Sequence, residues 1–217
     1  MALYMGIIYE KKGQTDKAIS NYLKALQIDP DYLGALNNLG MAFSNKRDYD
    51  RAVFYFKRAL KIDPQKPDVR MNLANVLFLQ SKTDEAISQY RKILQNDSEN
   101  ADACYNLAYV FSTQGKLNEA VSLYKKTLRI DPEYSKAYYN LGNILLNQGK
   151  LKEAITLFAV AININPDYAQ VYNKLGSILF QQGKLRKAKV LFSKALQINP
   201  NYSEARINLD IIQIGNK

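Results

Sequence analysis

AYYNLGNILLNQGKLKEAITLFAVAININP, residues Ala137–Pro166, carries two helical apolar faces in succession. Tyr138, Leu141, Gly142 and Leu145 fall at i, i+3, i+4 and i+7, one face of a first helix. Gly149 breaks that pattern in the manner of a left-handed C-cap. Ala154, Phe158 and Ala161 follow at i, i+4 and i+7 on a second helix, which Pro166 closes. Gly142, Ala154 and Ala161 are small at positions that face a core. Two backbones can therefore approach closely, with Tyr138, Leu141, Leu145 and Phe158 filling the space that remains.

The pattern returns every 34 residues. Upstream it reads Leu39, Gly40, Phe43, Ala52, Phe56, Ala59 and Pro64, and again Leu107, Ala108, Phe111, Ala120, Tyr124, Thr127 and Pro132. Downstream it reads Leu175, Gly176, Leu179, Ala188, Phe192, Ala195 and Pro200. The first copy keeps Gly6, Tyr9, Ala18, Tyr22, Ala25 and Pro30. A looser third copy has Leu73, Ala74, Leu77, Ala86, Tyr90 and Ile93, with Ser98 in place of proline. Arg47 and Ser81 stand where other copies have the turn glycine.

A helix–turn–helix unit of this period and these anchors resembles the tetratricopeptide repeat family over essentially the whole chain. The resemblance implies an all-α fold, a right-handed α-solenoid with a concave groove of first helices and a convex back of second helices. Residues 1–217 read as a single array, with repeats at about 1–32, 33–66, 67–100, 101–134, 135–168 and 169–202. One such unit cannot bury its own apolar faces, so stability accumulates by stacking, and about three repeats are needed. Residues 203–214 read as a capping helix ending at Gly215, a C-cap. Its Ala205, Leu209 and Ile212 face repeat six, while Arg206, Asp210 and Gln213 are polar on the side that has no partner. At the other end Met1 falls just before the first packing position. The first helix thus lacks its usual opening turn, which reads as an array cut at its start or an unusual initiation point.

Composition narrows the function. No apolar run is long enough to span a bilayer and no signal-peptide-like start is present, which points to a cytoplasmic chain. Cys104 is the only cysteine and takes a packing position, so a buried inert thiol is expected and no internal disulfide can form. The absence of histidine removes imidazole bases, the Ser-His-Asp arrangement and most zinc sites. No phosphate loop fits either: Gly149-Lys150 is followed by Leu151, and Ile144 stands where the leading glycine belongs. Asp29, Asp31, Asp63, Glu85 and Asp131 sit at caps and turns, where helix-end electrostatics accounts for them. These observations give no enzyme, no cofactor and no metal.

The formal charge of +10 raises nucleic acid or an anionic surface as partner. Lys24, Lys57, Arg58, Arg91, Lys92, Lys125, Lys126 and Lys194 lie on the outward faces of second helices, which reads as a solvated back. The tightest cluster is Lys184, Arg186, Lys187 and Lys189, a candidate for an acidic partner. Leu157, Ala159 and Val160 replace the polar residues of sister copies on the back of repeat five, and predict weak self-association.

The groove should carry the function. First-helix positions two, five, six, nine, twelve and thirteen of each repeat do not pack and share one stripe. Position six reads Asn38, Asn72, Asn106, Asn140, Lys174 and Asn208. Asparagine is a mediocre helix former, and its amide can donate and accept at once to an extended backbone. The column is similar to the asparagine ladder in the superhelical repeats of O-linked N-acetylglucosamine transferase, which grips peptide main chain. The alternative is a common family spelling whose amides meet water. Around the column stand Met41, Met71, Asn75, Tyr105, Tyr109, Tyr139 and Asn143, with Asn37, Asn173, Ile207 and Ile211 at equivalent positions and Phe78, Leu146 and Phe180 nearer the turn. Tyrosine and methionine suit recognition of varied side chains, or else pack sideways between neighbouring first helices.

The carboxylate clamp of the family, which holds acidic chaperone tails, has no compliant window. The nearest uses Tyr105, Tyr109, Asn140, Gln170 and Lys174, and lacks the first lysine and a later base. Lys136 and Lys174 share the groove with Asp68, Asp102 and Glu204, so no cationic track follows it and nucleic acid is disfavoured. The sequence therefore points to a scaffold that takes an extended protein or peptide segment in its groove.

Overall fold

The computed structural model describes residues 1–214; Gly215, the expected C-cap, lies outside the described residues. Among the described residues there are thirteen α-helices and no strand. The first helices of the repeats are α1 (Ala2–Lys11), α3 (Leu33–Asn45), α5 (Pro67–Leu79), α7 (Ala101–Thr113), α9 (Ser135–Asn147), α11 (Ala169–Gln181) and α13 (Ser203–Ile214). Between them run α2 (Thr15–Ile28), α4 (Tyr49–Ile62), α6 (Thr83–Asn96), α8 (Leu117–Ile130), α10 (Leu151–Ile164) and α12 (Leu185–Ile198). From α4 to α13 every helix begins 34 residues after its counterpart, as the sequence period requires. The chain divides into two compact units, Met1–Gln114 and Gly115–Lys217.

In the N-terminal unit α1 pairs with α2, α3 with α4 and α5 with α6, and first helices lie side by side, α1 on α3 and α3 on α5. Small residues set the approach. The ring of Phe56 lies directly over Gly40, where an added Cβ would come within 2.4–2.7 Å of it, and Tyr22 covers Gly6 in the same way. Leu36, Leu39, Ala52, Phe56 and Ala59 are fully buried around the first of these contacts. Cys104 is fully buried, as its packing position predicts.

The C-terminal unit repeats the device, with Phe158 over Gly142 and Phe192 over Gly176. Helix α13 lays Ala205, Leu209 and Ile212 on Phe192, Ala195 and Leu196 of α12, while Arg206, Asp210 and Gln213 stay exposed. Thr127, at the position alanine holds in sister copies, is buried and bonds its hydroxyl to the Leu123 carbonyl at 3.0 Å. A buried donor is thereby satisfied inside its own helix. On the back of α10, Leu157 and Val160 are half-buried and only Ala159 is exposed, a smaller apolar spot than the sequence implies.

Both turn types have a local cause. After α3 the chain enters the left-handed region at Arg47 (φ 60°), with Asp48 N–H bonded to Phe43 O and Arg47 N–H to Ser44 O, both at 2.9 Å. That is a Schellman closure, repeated at Ser81 and, in the C-terminal unit, at Gly149 and Gly183. Between repeats the side chains of Asp29, Asp63, Asp97, Asp131, Asn165 and Asn199 each accept the backbone N–H two residues on, at 2.9–3.1 Å. Asp29, Asp63 and Asp131 thus follow the C-termini of second helices, where the dipole disfavours an anion. Their role is to fold the turn, not to neutralise a helix end.

Candidate functional site

The first-helix face of the N-terminal unit brings most of the predicted residues together. Asn38 and Met41 come from α3, Met71, Asn72 and Asn75 from α5, and Tyr105, Asn106 and Tyr109 from α7. All are half-buried except Tyr109, which is 43% exposed. The asparagine column is already partly engaged. Asn72 Nδ2 donates to Asn37 Oδ1 at 3.2 Å, and Asn106 Nδ2 lies 3.3 Å from Met71 Sδ. In both cases position six reaches back to position five of the preceding repeat. Each amide therefore spends one N–H on bracing its neighbour and has a second N–H besides.

One further contact ties the face to the core and another joins two of its rings. Asn75 Oδ1 accepts the Tyr90 hydroxyl at 2.6 Å, and Phe78 meets the Tyr109 ring edge-on at 5.9 Å. Tyr109 thus packs sideways, one of the two roles open from sequence, while keeping a wet face. The side chain of Asn38 meets the Tyr22 hydroxyl, which also donates to Glu10 Oε2 at 2.6 Å. Burial first, and then Glu10, hold the Tyr22 hydroxyl well above the ordinary tyrosine range. Burial does the same to Tyr90.

A pocket of about 230 Å³ opens on this face, lined in part by Met41, Asn72, Asn75 and Glu10. Sequence reasoning marked the first three and missed Glu10. The signal was available in two places. Glu10 holds position twelve of its repeat, on the exposed stripe, and the ring opposite is a tyrosine, whose buried hydroxyl needs an acceptor.

The C-terminal unit departs further from expectation. Tyr139 stacks at a tilt on Phe158 (5.9 Å) and Tyr168 (5.2 Å), and burial raises its hydroxyl although the Asn143 side chain bonds to it. It belongs largely to the packing. Asn173, placed on the groove wall by its position, is only 1% exposed. Its Nδ2 donates to Tyr202 Oη at 3.3 Å and its Oδ1 accepts Asn208 Nδ2 at 3.1 Å. Asn173 is therefore an internal brace between α11 and α13. Tyr202 in turn donates to Glu204 Oε2 at 3.3 Å; burial and then Glu204 push its hydroxyl up to about 12. Asn140, Asn143, Lys174 and Asn208 are half-buried on the same face.

Charge divides unevenly. Gly115–Lys217 carries 15 Lys and Arg against 7 Asp and Glu, a formal +8, whereas Met1–Gln114 carries 15 against 13, a formal +2. Lys184, Arg186, Lys187 and Lys189 are all exposed. Among the described residues no helix is long and apolar enough to cross a membrane, and no group of three or more acidic or cysteine side chains could hold a metal ion.

Models described as tetratricopeptide repeat match residues 1–65, 111–178 and 169–202. A model of anaphase-promoting complex, cyclosome, subunit 3 matches residues 45–127. No curated protein matches the sequence. Among solved structures the chain is similar to MamA, at 26% identity and a TM-score of 0.67, covering 76% of this chain and 97% of that one. Pseudomonas aeruginosa pilF matches at 19% identity and a TM-score of 0.79, over 94% of this chain and 93% of its own. YrrB, described as a TPR protein with an unusual peptide-binding site, matches at 23% identity and a TM-score of 0.59, over 85% and 95%. The fold is all-α, of the helical-repeat solenoid type, and such chains serve as protein-interaction scaffolds and typically not as catalysts. With three repeat models spanning most of its length and the 34-residue period in its helices, the chain belongs to the tetratricopeptide repeat family.

Proposed function

We propose that this protein is a non-catalytic scaffold that binds an extended peptide segment on its first-helix face. The observation that carries the reading is the pocket of about 230 Å³ in which three residues marked from sequence, Met41, Asn72 and Asn75, meet. The likeness to YrrB, a repeat protein with a peptide-binding site of its own, supports the same class of ligand. Magnitudes limit what the amides contribute. A net hydrogen bond gives roughly 0.5–1.5 kcal/mol, and one N–H of Asn72, Asn106 and Asn208 is already spent. Ordering a disordered segment costs about 2–5 kcal/mol. Apolar contact with Met41, Met71, Tyr105 and Tyr109 therefore has to supply the surplus, and affinity falls in the micromolar range.

Calorimetric titration of peptides selected on the intact protein tests this. Tyr109→Ala, at a 43% exposed ring, is expected to weaken binding by roughly tenfold while the protein stays folded, with only the small drop in melting midpoint that loss of the Phe78 contact brings. Peptides indifferent to that change would remove the reading. A second reading, an anionic partner on the basic surface of Gly115–Lys217, is favoured by its +8 charge. It requires binding that falls steeply with salt, whereas peptide binding through amides and rings responds weakly. Contact between copies through Leu157 and Val160 is checked by light scattering, where an unchanged mass distribution in Val160→Lys excludes it.

A further inference from the structure

The pocket between α1, α3 and α5 contains a charge that the fold does not need. Tyr22 donates to Glu10 Oε2 at 2.6 Å, and Tyr90 donates to Asn75 Oδ1 at the same 2.6 Å. A neutral amide thus satisfies an equivalent buried hydroxyl two repeats on. Glu10 also lies in the last turn of α1, where the helix dipole disfavours an anion. It is half-buried, and among the described residues no lysine or arginine pairs with it. A carboxylate at this place can take a cation or further hydrogen-bond donors besides Tyr22.

The rest of the pocket fits a basic side chain. Half-buried Met41 gives an apolar wall against which methylenes can lie, backed by buried Phe56 and Val76. Glu10, Ser44, Asn45 and Asn72 put acceptors at its rim. Asn72 has committed one N–H to Asn37 and keeps its Oδ1. Glu10 is the one charged residue among those lining the pocket. The exposed stripe of the N-terminal unit holds Asp68 and Asp102 besides Glu10, against Lys11, although the whole chain is at +10.

We propose that this pocket receives a lysine or arginine side chain of the bound segment, its charged head on Glu10 and its stem along Met41. The assignment rests on the peptide-binding reading above and names the residue class that reading selects. Charge-assisted hydrogen bonding to Glu10 fixes the register in which the segment lies.

The test is selection of random-sequence peptides on the intact protein, followed by titration of a synthesised winner. Selected peptides are expected to share a lysine or arginine at one register. Glu10→Gln, which still offers Tyr22 an acceptor, should weaken the winner roughly tenfold or more. Replacing the basic residue of the peptide by glutamine should weaken binding equally on the parent protein and leave the Glu10→Gln variant nearly indifferent. The loss on the parent protein is read without any protein variant. Glu10→Lys should move the preference at that register to Asp or Glu. Winners that lose affinity on Tyr109→Ala yet carry no basic position, or keep it equally on Glu10→Gln, overturn the pocket assignment and leave the groove standing. An empty selection, or winners indifferent to Tyr109→Ala, overturns both.

Discussion

At the scale of single residues, the molecule depends on a few positions where size or burial admits one solution. Gly40 is one. Its missing Cβ is the space occupied by Phe56, whose ring atoms would lie 2.4–2.7 Å from it. Gly40→Ala should cost about 1–3 kcal/mol, through overpacking, in denaturant unfolding, and Phe56→Leu in the same chain should recover part of the loss. Tyr202 is another. Its hydroxyl, raised by burial and Glu204 to about 12, titrates above the ordinary value of 10.0. Unfolding lets it ionise earlier, so the stability it contributes is full below pH 10 and is lost as pH rises from 10 to 12. Tyr202→Phe should flatten that part of a stability–pH curve. The glycines and the Phe or Tyr opposite were legible in the sequence, because a small residue facing a large one at helical spacing has one packing meaning. Asn173 was not. Whether a polar side chain at position five is wet or buried depends on Tyr202 and Asn208, which lie 29 and 35 residues on and reach it only through the fold.

At the scale of elements, helix lengths and turns follow from local chemistry, and here the sequence was most legible. The closure after each first helix needs one left-handed residue. Gly149 and Gly183 adopt it at φ 77° and 72°, and the same geometry is forced on Arg47 at 60° and Ser81 at 61°. A side chain in that region costs roughly 1–2 kcal/mol, while glycine returns about 0.5–1 kcal/mol of unfolded-state entropy. Ser81→Gly and Arg47→Gly should each stabilise by about 0.5–1 kcal/mol, seen as a higher denaturant midpoint at constant slope. Both side chains are exposed, so little contact is lost. Position alone makes the aspartates between repeats look like helix-end charges. The bond from the Gln65 N–H to Asp63 Oδ1 shows the turn to be the governing element. The site was half legible for a related reason. A periodic stripe identifies which positions face outward, yet it does not reveal that Asn72 and Asn106 brace the preceding repeat.

At the scale of the whole molecule, the uneven charge has a consequence separate from any ligand. Gly115–Lys217 holds 15 basic and 7 acidic residues, and most of its cations, such as Lys150, Lys152, Lys184, Arg186, Lys187 and Lys189, are exposed. Helix α12 adds to the imbalance, since its first turn carries Arg186 and Lys187 with no acid, where α2, α4, α6, α8 and α10 each have one or two. Cations there face the positive end of the helix dipole as well as each other. Like-charge repulsion of this kind works against the compact state and is screened within about 10 Å at 0.1 M salt. Met1–Gln114, at +2, has nearly balanced charges and ion pairs such as Lys46–Asp16 at 2.5 Å that salt weakens. The two units should therefore respond to salt differently. Hydrogen exchange followed from low to moderate ionic strength should slow in α10–α12 and stay level or quicken slightly in α2–α4. Because repeats are stabilised chiefly by their neighbours, such differences register locally and are not averaged over the chain. A uniform shift in both units would mean that net charge does not govern the stability of either. An acidic segment replacing Arg186 and Lys187, as Arg186→Glu with Lys187→Glu, should abolish the salt response of α12 while raising its protection at low salt.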